Sequence, residues 1–202
     1  MAGDSETSRL KLAAAEYSTP YPHAAFSEPF FAELSFLKAS QVSLPLIAQK
    51  GSISHWVYDS EVPCTAAATI ILPNEIVPNI YDLQPMISSM EDAFIQGKRS
   101  VLLKLNVGEH YVERLYHFSK IRLFVAINNH SPSIDAAKRL VEALKSSSLS
   151  SMLMDRFMQE RICRQIQGFS ATCALWNLFC LLDKEWVYDD VLNCLSELLY
   201  FR

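Results

Sequence analysis

From Leu83 onward, apolar residues return every three or four positions, and that spacing leaves the chain little choice but amphipathic helices sharing a core. Met86, Ile87, Met90, Ala93 and Phe94 form the first such stripe. Pro85 suits the first helical position and Gly97 suits the C-terminal cap. Lys98 and Arg99 then complement the negative end of the helix dipole. Ile134, Ala137, Leu140, Val141 and Leu144 make a second stripe, with Ser131 as its cap and Pro132 opening the helix. Met154, Met158, Ile162 and Ile166 make a third, widened by Leu153 and Phe157 and stopped at Gly168, after a polar hinge at 146–151.

Between the first two stripes the period changes. Val101, Leu103, Leu105 and Val107 alternate, which predicts a strand ending at Gly108. Residues 109–119 fit a helix through Val112, Leu115, Tyr116 and Phe118. Residues 120–127 fit either element, since Ile121, Leu123, Val125 and Ile127 also alternate; helix is the favoured reading. Asn128, Asn129 and His130 read as a turn.

Upstream of Leu83 regular structure is interrupted. Pro20, Pro22, Pro29 and Pro45 stand among Tyr21, Phe26, Phe30, Phe31 and Phe36, so irregular chain packed by its aromatics is expected, with a short helix near 30–39. Short apolar runs at 53–58 and 65–72 are candidate strands, and Pro73, Asn74, Pro78 and Asn79 mark a linker. The first eighteen residues are polar and Ala-rich, as at a frayed terminus. The expected class is α+β, mainly helical. Its parts are an irregular Pro/aromatic-rich region with short strands (1–78), a helical middle (79–168) and a closing segment (169–202).

Composition narrows function mainly by exclusion. In 202 residues, 50% are hydrophobic and 20% charged, enough apolar content for a core without staples. A net charge of −4 argues against a broad nucleic-acid footprint. Arg156, Arg161 and Arg164 sit among Asp155 and Glu160 and read as a solvated mixed-charge face. No run approaches the roughly 18 apolar residues of a membrane span. The five cysteines (Cys64, Cys163, Cys173, Cys180, Cys194) are odd in number with no Cys-x-x-Cys, and no apolar leader follows Met1. That pattern predicts free thiols in a reducing, intracellular setting, nucleus or cytoplasm. Gly3, Gly51, Gly97, Gly108 and Gly168 are isolated, so no phosphate-cradling loop exists and no cofactor is expected. His110 and His117 would share a helical face but lack further ligands at metal spacing, so no metal site is assigned. The cysteines in apolar runs read as small core residues, because a catalytic thiol needs a base beside it.

The closing stretch is Leu181 to Arg202, L-L-D-K-E-W-V-Y-D-D-V-L-N-C-L-S-E-L-L-Y-F-R. Val187, Val191, Leu192, Leu195, Leu198 and Leu199 form a helical stripe. Asp189 stands where a cap accepts from free N–H groups, Asp190 favours the positive helix end, and Trp186 anchors the approach. Physically the segment is a capped amphipathic helix.

The same spacing, L-L-x-x-x-W-V-x-D-D-V-L-N-x-x-x-x-L-L, resembles the opening of the catalytic domain of ubiquitin-like-protein-specific proteases, the SUMO-protease family of cysteine peptidases. Leu181, Leu182, Trp186, Val187, Asp189, Asp190, Val191, Leu192, Asn193, Leu198 and Leu199 occupy matching positions, with Val187 in place of the commoner Leu. G-K-R-S-V-L-L at 97–103 and Gly168-Phe169 resemble the region preceding the protease domain in long, transposon-associated fungal members. The resemblance implies a thiol protease domain that cleaves at a Gly-Gly tail with a His-Asp-Cys triad. It maps the wall of the diglycine tunnel to Trp186 and a substrate-tail contact to Asp189. The family's triad follows this motif, and no such residues follow it here. His55-Trp56 resembles the family's His-Trp pair but precedes the motif, so no catalytic residue is carried over. The resemblance therefore implies an inactive N-terminal portion that ends before its active site. Its implied partner is a ubiquitin-like modifier, engaged through the missing domain. An exposed apolar last helix that self-associates is also expected. The alternative is a non-enzymatic helical interaction or adaptor protein.

Overall fold

The computed structural model describes residues 31–45, 47, 53–62, 76–107, 110–182 and 187–201. Trp186 and the candidate strand at 65–72 lie outside them. The elements in chain order are α1 (Phe36–Gln41), β1 (Ile53–Asp59), α2 (Ile80–Ile95), β2 (Ser100–Val107), β3 (His110–His117), α3 (Phe118–Lys145), α4 (Ser151–Gln159), a 3-10 helix (Leu175–Leu181) and α5 (Asp189–Phe201). The class is α+β: the described residues form helices and a three-stranded antiparallel sheet of order β1-β2-β3. The chain divides into two compact units: 1–27 with 45–129, and 28–44 with 130–202.

The first unit is built on the sheet. Residues 110–117 form β3, not the helix the spacing suggested. They pair with β2 from Val107↔His110 to Ser100↔His117 without a break. Val112, Leu115 and Tyr116 satisfy helical spacing, yet H-Y-V-E-R-L-Y-H also carries Val112, Tyr111 and Tyr116, residue types that suit a strand. A neighbouring apolar strand decides between them by supplying a full ladder of hydrogen bonds. Val101, Leu103, Leu105 and Tyr116 are buried on the inner face. On the other face Val57 and Leu102 are exposed, and Lys104 pairs with Glu113 at 3.9 Å. His110 and His117 therefore stand at opposite ends of a hairpin rather than on one helical face. His117 Nδ1 accepts from the Ser119 N–H (3.3 Å) at the start of α3, the work of a cap.

Helix α2 packs on this sheet through Leu83, Met86, Met90, Ala93 and Phe94. It begins three residues before Leu83, because the Asn79 side chain accepts from the Asp82 N–H at 3.0 Å and caps it. Pro85 consequently lies inside the helix and not at its first position. Its end matches the sequence reading. Gly97, at φ +89°, donates to the Phe94 carbonyl and Lys98 to the Ala93 carbonyl, a Schellman closure that a side chain would strain. Tyr58 of β1 ties sheet to helix by donating to the Met86 carbonyl at 2.7 Å.

Helix α3 runs unbroken from Phe118 to Lys145, so the expected turn at 128–130 and the new cap at Ser131 do not occur. Pro132 sits mid-helix and leaves the Asn128 carbonyl without its usual donor. Burial on both sides of the proline holds the helix together, with Ile121, Phe124 and Ile127 before it and Ile134, Ala137 and Val141 after it. The Asn128 side chain donates to the carbonyls of Phe124 (2.8 Å) and Pro78 (2.9 Å).

In the second unit the short helix near 30–39 is placed at Phe36–Gln41, with Ser35 as its cap. Phe36 is fully buried and meets Phe157 of α4 in a tilted ring contact, centroids 4.3 Å apart. Helix α4 stops at Gln159, short of the expected 166. From Glu160 the chain turns extended and pairs with 34–36 instead: the Phe36 N–H donates to the Glu160 carbonyl and the Ile162 N–H to the Leu34 carbonyl. Ile162 reaches the core from this extended stretch, where helical spacing had placed it on the stripe. Gly168, at φ +93°, lies in the turn between bridged residues Gln165 and Ala174.

Candidate functional site

The closing motif forms a small structure within the second unit. Residues 175–181 wind into a 3-10 helix that places Phe179 and Cys180 inward. Tyr188 then supplies the carbonyl that receives the Val191 and Leu192 N–H groups, both at 3.0 Å, and α5 begins. Asp189 is thus the first residue of the helix and not its cap, and Asp190 follows it in the first turn. Both carboxylates are exposed at the positive helix end, where they offset the unpaired N–H groups. Asp189 is placed in solvent at the approach to α5, a position open to a ligand. Trp186, its expected companion, lies outside the described residues.

The motif's apolar residues separate into two faces. Val191 and Cys194 are buried and Leu195 is half-buried, joining a core with Cys173 and Cys180. Leu192 and Leu199 point the other way, 46% and 83% exposed, and Tyr200 is exposed as well. Leu181 and Leu182 are also about half exposed. Phe179 meets Tyr188 edge to face at 6.2 Å, and the Arg139 guanidinium lies 4.8 Å over the Phe179 ring.

Beside the buried face of α5 is a polar cleft of about 530 Å³, lined by Ser170, Thr172, Asp190, Asn193, Ser196 and Glu197. The Glu197 carboxylate accepts from the Ser170 backbone N–H at 3.1 Å and from its hydroxyl, which pins the 169–173 segment to the helix. Nothing in the spacing of the sequence paired Ser170 with Glu197, since they lie far apart in the chain and meet only through the fold.

Three of the cysteines converge here. Cys173 and Cys180 come from the 3-10 helix region and Cys194 from α5. Burial pushes the Cys173 thiol up, with the neighbouring Cys194 next in effect. Burial does the same at Cys194, followed by the nearby Glu197 carboxylate. Protonated thiols in an apolar core are poor nucleophiles. Among the described residues no three His, Cys, Asp or Glu side chains converge so as to hold a metal ion, and no helix is long and apolar enough to cross a membrane. Cys163 stands apart, half-buried in a second cleft with Arg161 and Arg164, whose guanidiniums pair with Glu33 and Glu160. His55 and Trp56 belong to β1 in the first unit.

The site can therefore present carboxylates, hydroxyls and an apolar helix face to a partner, but its thiols are not set up for attack. No protein-family model matches the chain, and neither a curated protein nor a solved structure is found to match it.

Proposed function

We propose that this chain is the N-terminal portion of a protein related to the ubiquitin-like-protein proteases, and that residues 181–201 are the opening element of its catalytic domain. In this reading Asp189 contacts the diglycine tail of a ubiquitin-like modifier and Trp186 covers it. The nucleophile and its base belong to chain that follows Arg202. The observation that carries the reading is the division of the motif. Val191 is buried, while Leu181, Leu182, Leu192 and Leu199, apolar at the matching family positions, remain exposed. A helix with apolar side chains on both faces is suited to being packed from both sides.

The test is the coding sequence beyond Arg202. An open frame leading to a His-Trp pair, an Asp and an Asp-Cys-Gly run supports the reading, and a stop codon at that point overturns it. On the longer product, a diglycine-tailed thiol-reactive probe is expected to label the cysteine, and Trp186→Ala and Asp189→Asn to weaken labelling without unfolding. Labelling indifferent to both substitutions would remove their substrate role.

A second reading, a helical interaction protein without catalysis, is favoured by α4. That helix has no fully buried residue and exposes Met152 and Leu153, beside Leu149 just before it. Exposed apolar surface of this kind commonly serves a protein partner.

A further inference from the structure

Strand β1 borders β2 on one side, and among the described residues its other side is an open edge of the sheet. Its regular part is 55–59, since a register shift between Ile53 and His55 sets the start of the strand off the ladder. The Asp59 carbonyl accepts from the Arg99 N–H at 2.9 Å and so faces β2. Backbone groups alternate along an antiparallel ladder. Those of Val57 and His55 therefore face β2 as well, and those of Trp56 and Tyr58 turn to the open edge. Natural edges are commonly guarded by proline, lysine or opposed charge, and H-W-V-Y-D carries neither proline nor lysine. His55, Val57 and Asp59 are exposed, Val57 at 51%. The other edge of the sheet differs. The fullest pairings of β3 with a copy of itself centre on Glu113 or on Arg114, and each sets like charges directly opposite.

We propose that the β1 edge is an interaction surface whose partner is a second copy of this chain, joined antiparallel about a two-fold axis at Val57. Such an axis sets one residue opposite its own copy, and for 55–59 the fullest register centres on Val57. Trp56 then stands opposite Tyr58 of the second copy. Both turn their backbone to the edge, so they exchange N–H···O bonds, and the symmetry repeats the exchange. The same positions bring an aromatic pair together on the inner face. On the outer face Val57 meets Val57, and His55 stands opposite Asp59 at each end, where the imidazole donates to the carboxylate. These are the non-hydrogen-bonded positions, at which opposed side chains come closest. The two sheets become one, and its remaining edges are the guarded β3 strands. The proposal rests on the first unit alone and is independent of the role given to residues 181–201.

The test uses the whole chain carrying Leu199→Lys/Tyr200→Lys, which removes association through α5. In sedimentation equilibrium it is expected at twice 22.9 kDa. Adding Val57→Cys is expected to give, under mild oxidation, a disulfide joining position 57 of two copies, mapped by mass spectrometry, because opposed residues of this kind lie within disulfide reach. Leu102→Cys, also exposed but one strand inward, is expected to give none. His55→Asp and Asp59→His chains are each expected to fall toward 22.9 kDa, since like groups then face each other, and their equimolar mixture to recover the doubled mass as a mixed pair. A mass of 22.9 kDa before these edge substitutions, a link as ready at 102 as at 57, or a mixture no heavier than its parts would overturn the proposal. The position-57 link decides the matter even if a charge variant folds poorly.

Discussion

At the level of single residues, the buried thiols set a dependence on pH. Burial makes Cys173 and Cys194 harder to ionise in the folded protein than in the unfolded chain, so folded values stand above unfolded ones. The stability this represents is complete below the free thiol value of about 8.5 and drains away as pH rises through the folded values. Under reducing conditions the urea midpoint is expected to fall as pH is raised above about 8.5, and the Cys173→Ala/Cys194→Ala protein is expected to fall less steeply. Equal slopes for the two proteins would show that the thiols do not carry the effect. Asp189 illustrates how one residue's role depends on a shift of a single position. Placed at the cap it would bond the helix start with its side chain. As the first helical residue it acts through charge alone, and its carboxylate remains open to solvent.

Elements show where spacing misleads. In residues 110–117, Val112, Leu115 and Tyr116 fit a helix, and the strand is decided by β2 at hydrogen-bonding distance. In α3 the Asn-Asn-His-Ser-Pro run has every local mark of a helix end followed by a new start, yet burial on both flanks carries the helix through. That continuity has a cost at Pro132, which removes one backbone hydrogen bond and crowds the preceding turn. Pro132 is exposed, so Pro132→Ala is expected to raise stability by about 1–3 kcal/mol, measured by urea unfolding. A loss of stability would mean that the proline is required by the surrounding packing. In α4 the periodicity runs past the real end, because Glu160 and Ile162 gain backbone partners at 34–36 that a further helical turn would forfeit.

For the molecule as a whole, the notable surface is apolar. Leu192, Leu199 and Tyr200 on α5 are exposed together on a helix with two acids in its first turn and no Lys or Arg. Such a face is expected to drive self-association of the isolated chain. In sedimentation equilibrium the weight-average mass should exceed 22.9 kDa and rise with concentration, and Leu199→Lys/Tyr200→Lys should lower it. A mass that the substitutions leave unchanged would refute the expectation. The two compact units do not follow the order of the chain, since 28–44 joins 130–202. Helix α3 contributes 118–129 to one unit and 130–145 to the other.

The sequence by itself determined what depends on neighbours along the chain. It marked the helical character after Leu83, the glycine closure at Gly97, the strands at 53–58 and 101–107, and the acid-led helix at the end, all governed by local backbone preference and apolar period. Tertiary structure alone decided what depends on distant partners. The strand at 110–117 needed β2, the unbroken α3 needed a core on both sides of Pro132, and the early stop of α4 needed the backbone at 34–36. The meeting of Cys173, Cys180 and Cys194 needed α5 to close over the 3-10 helix, because burial and pairing across long separations leave no periodic trace in the residues that make them.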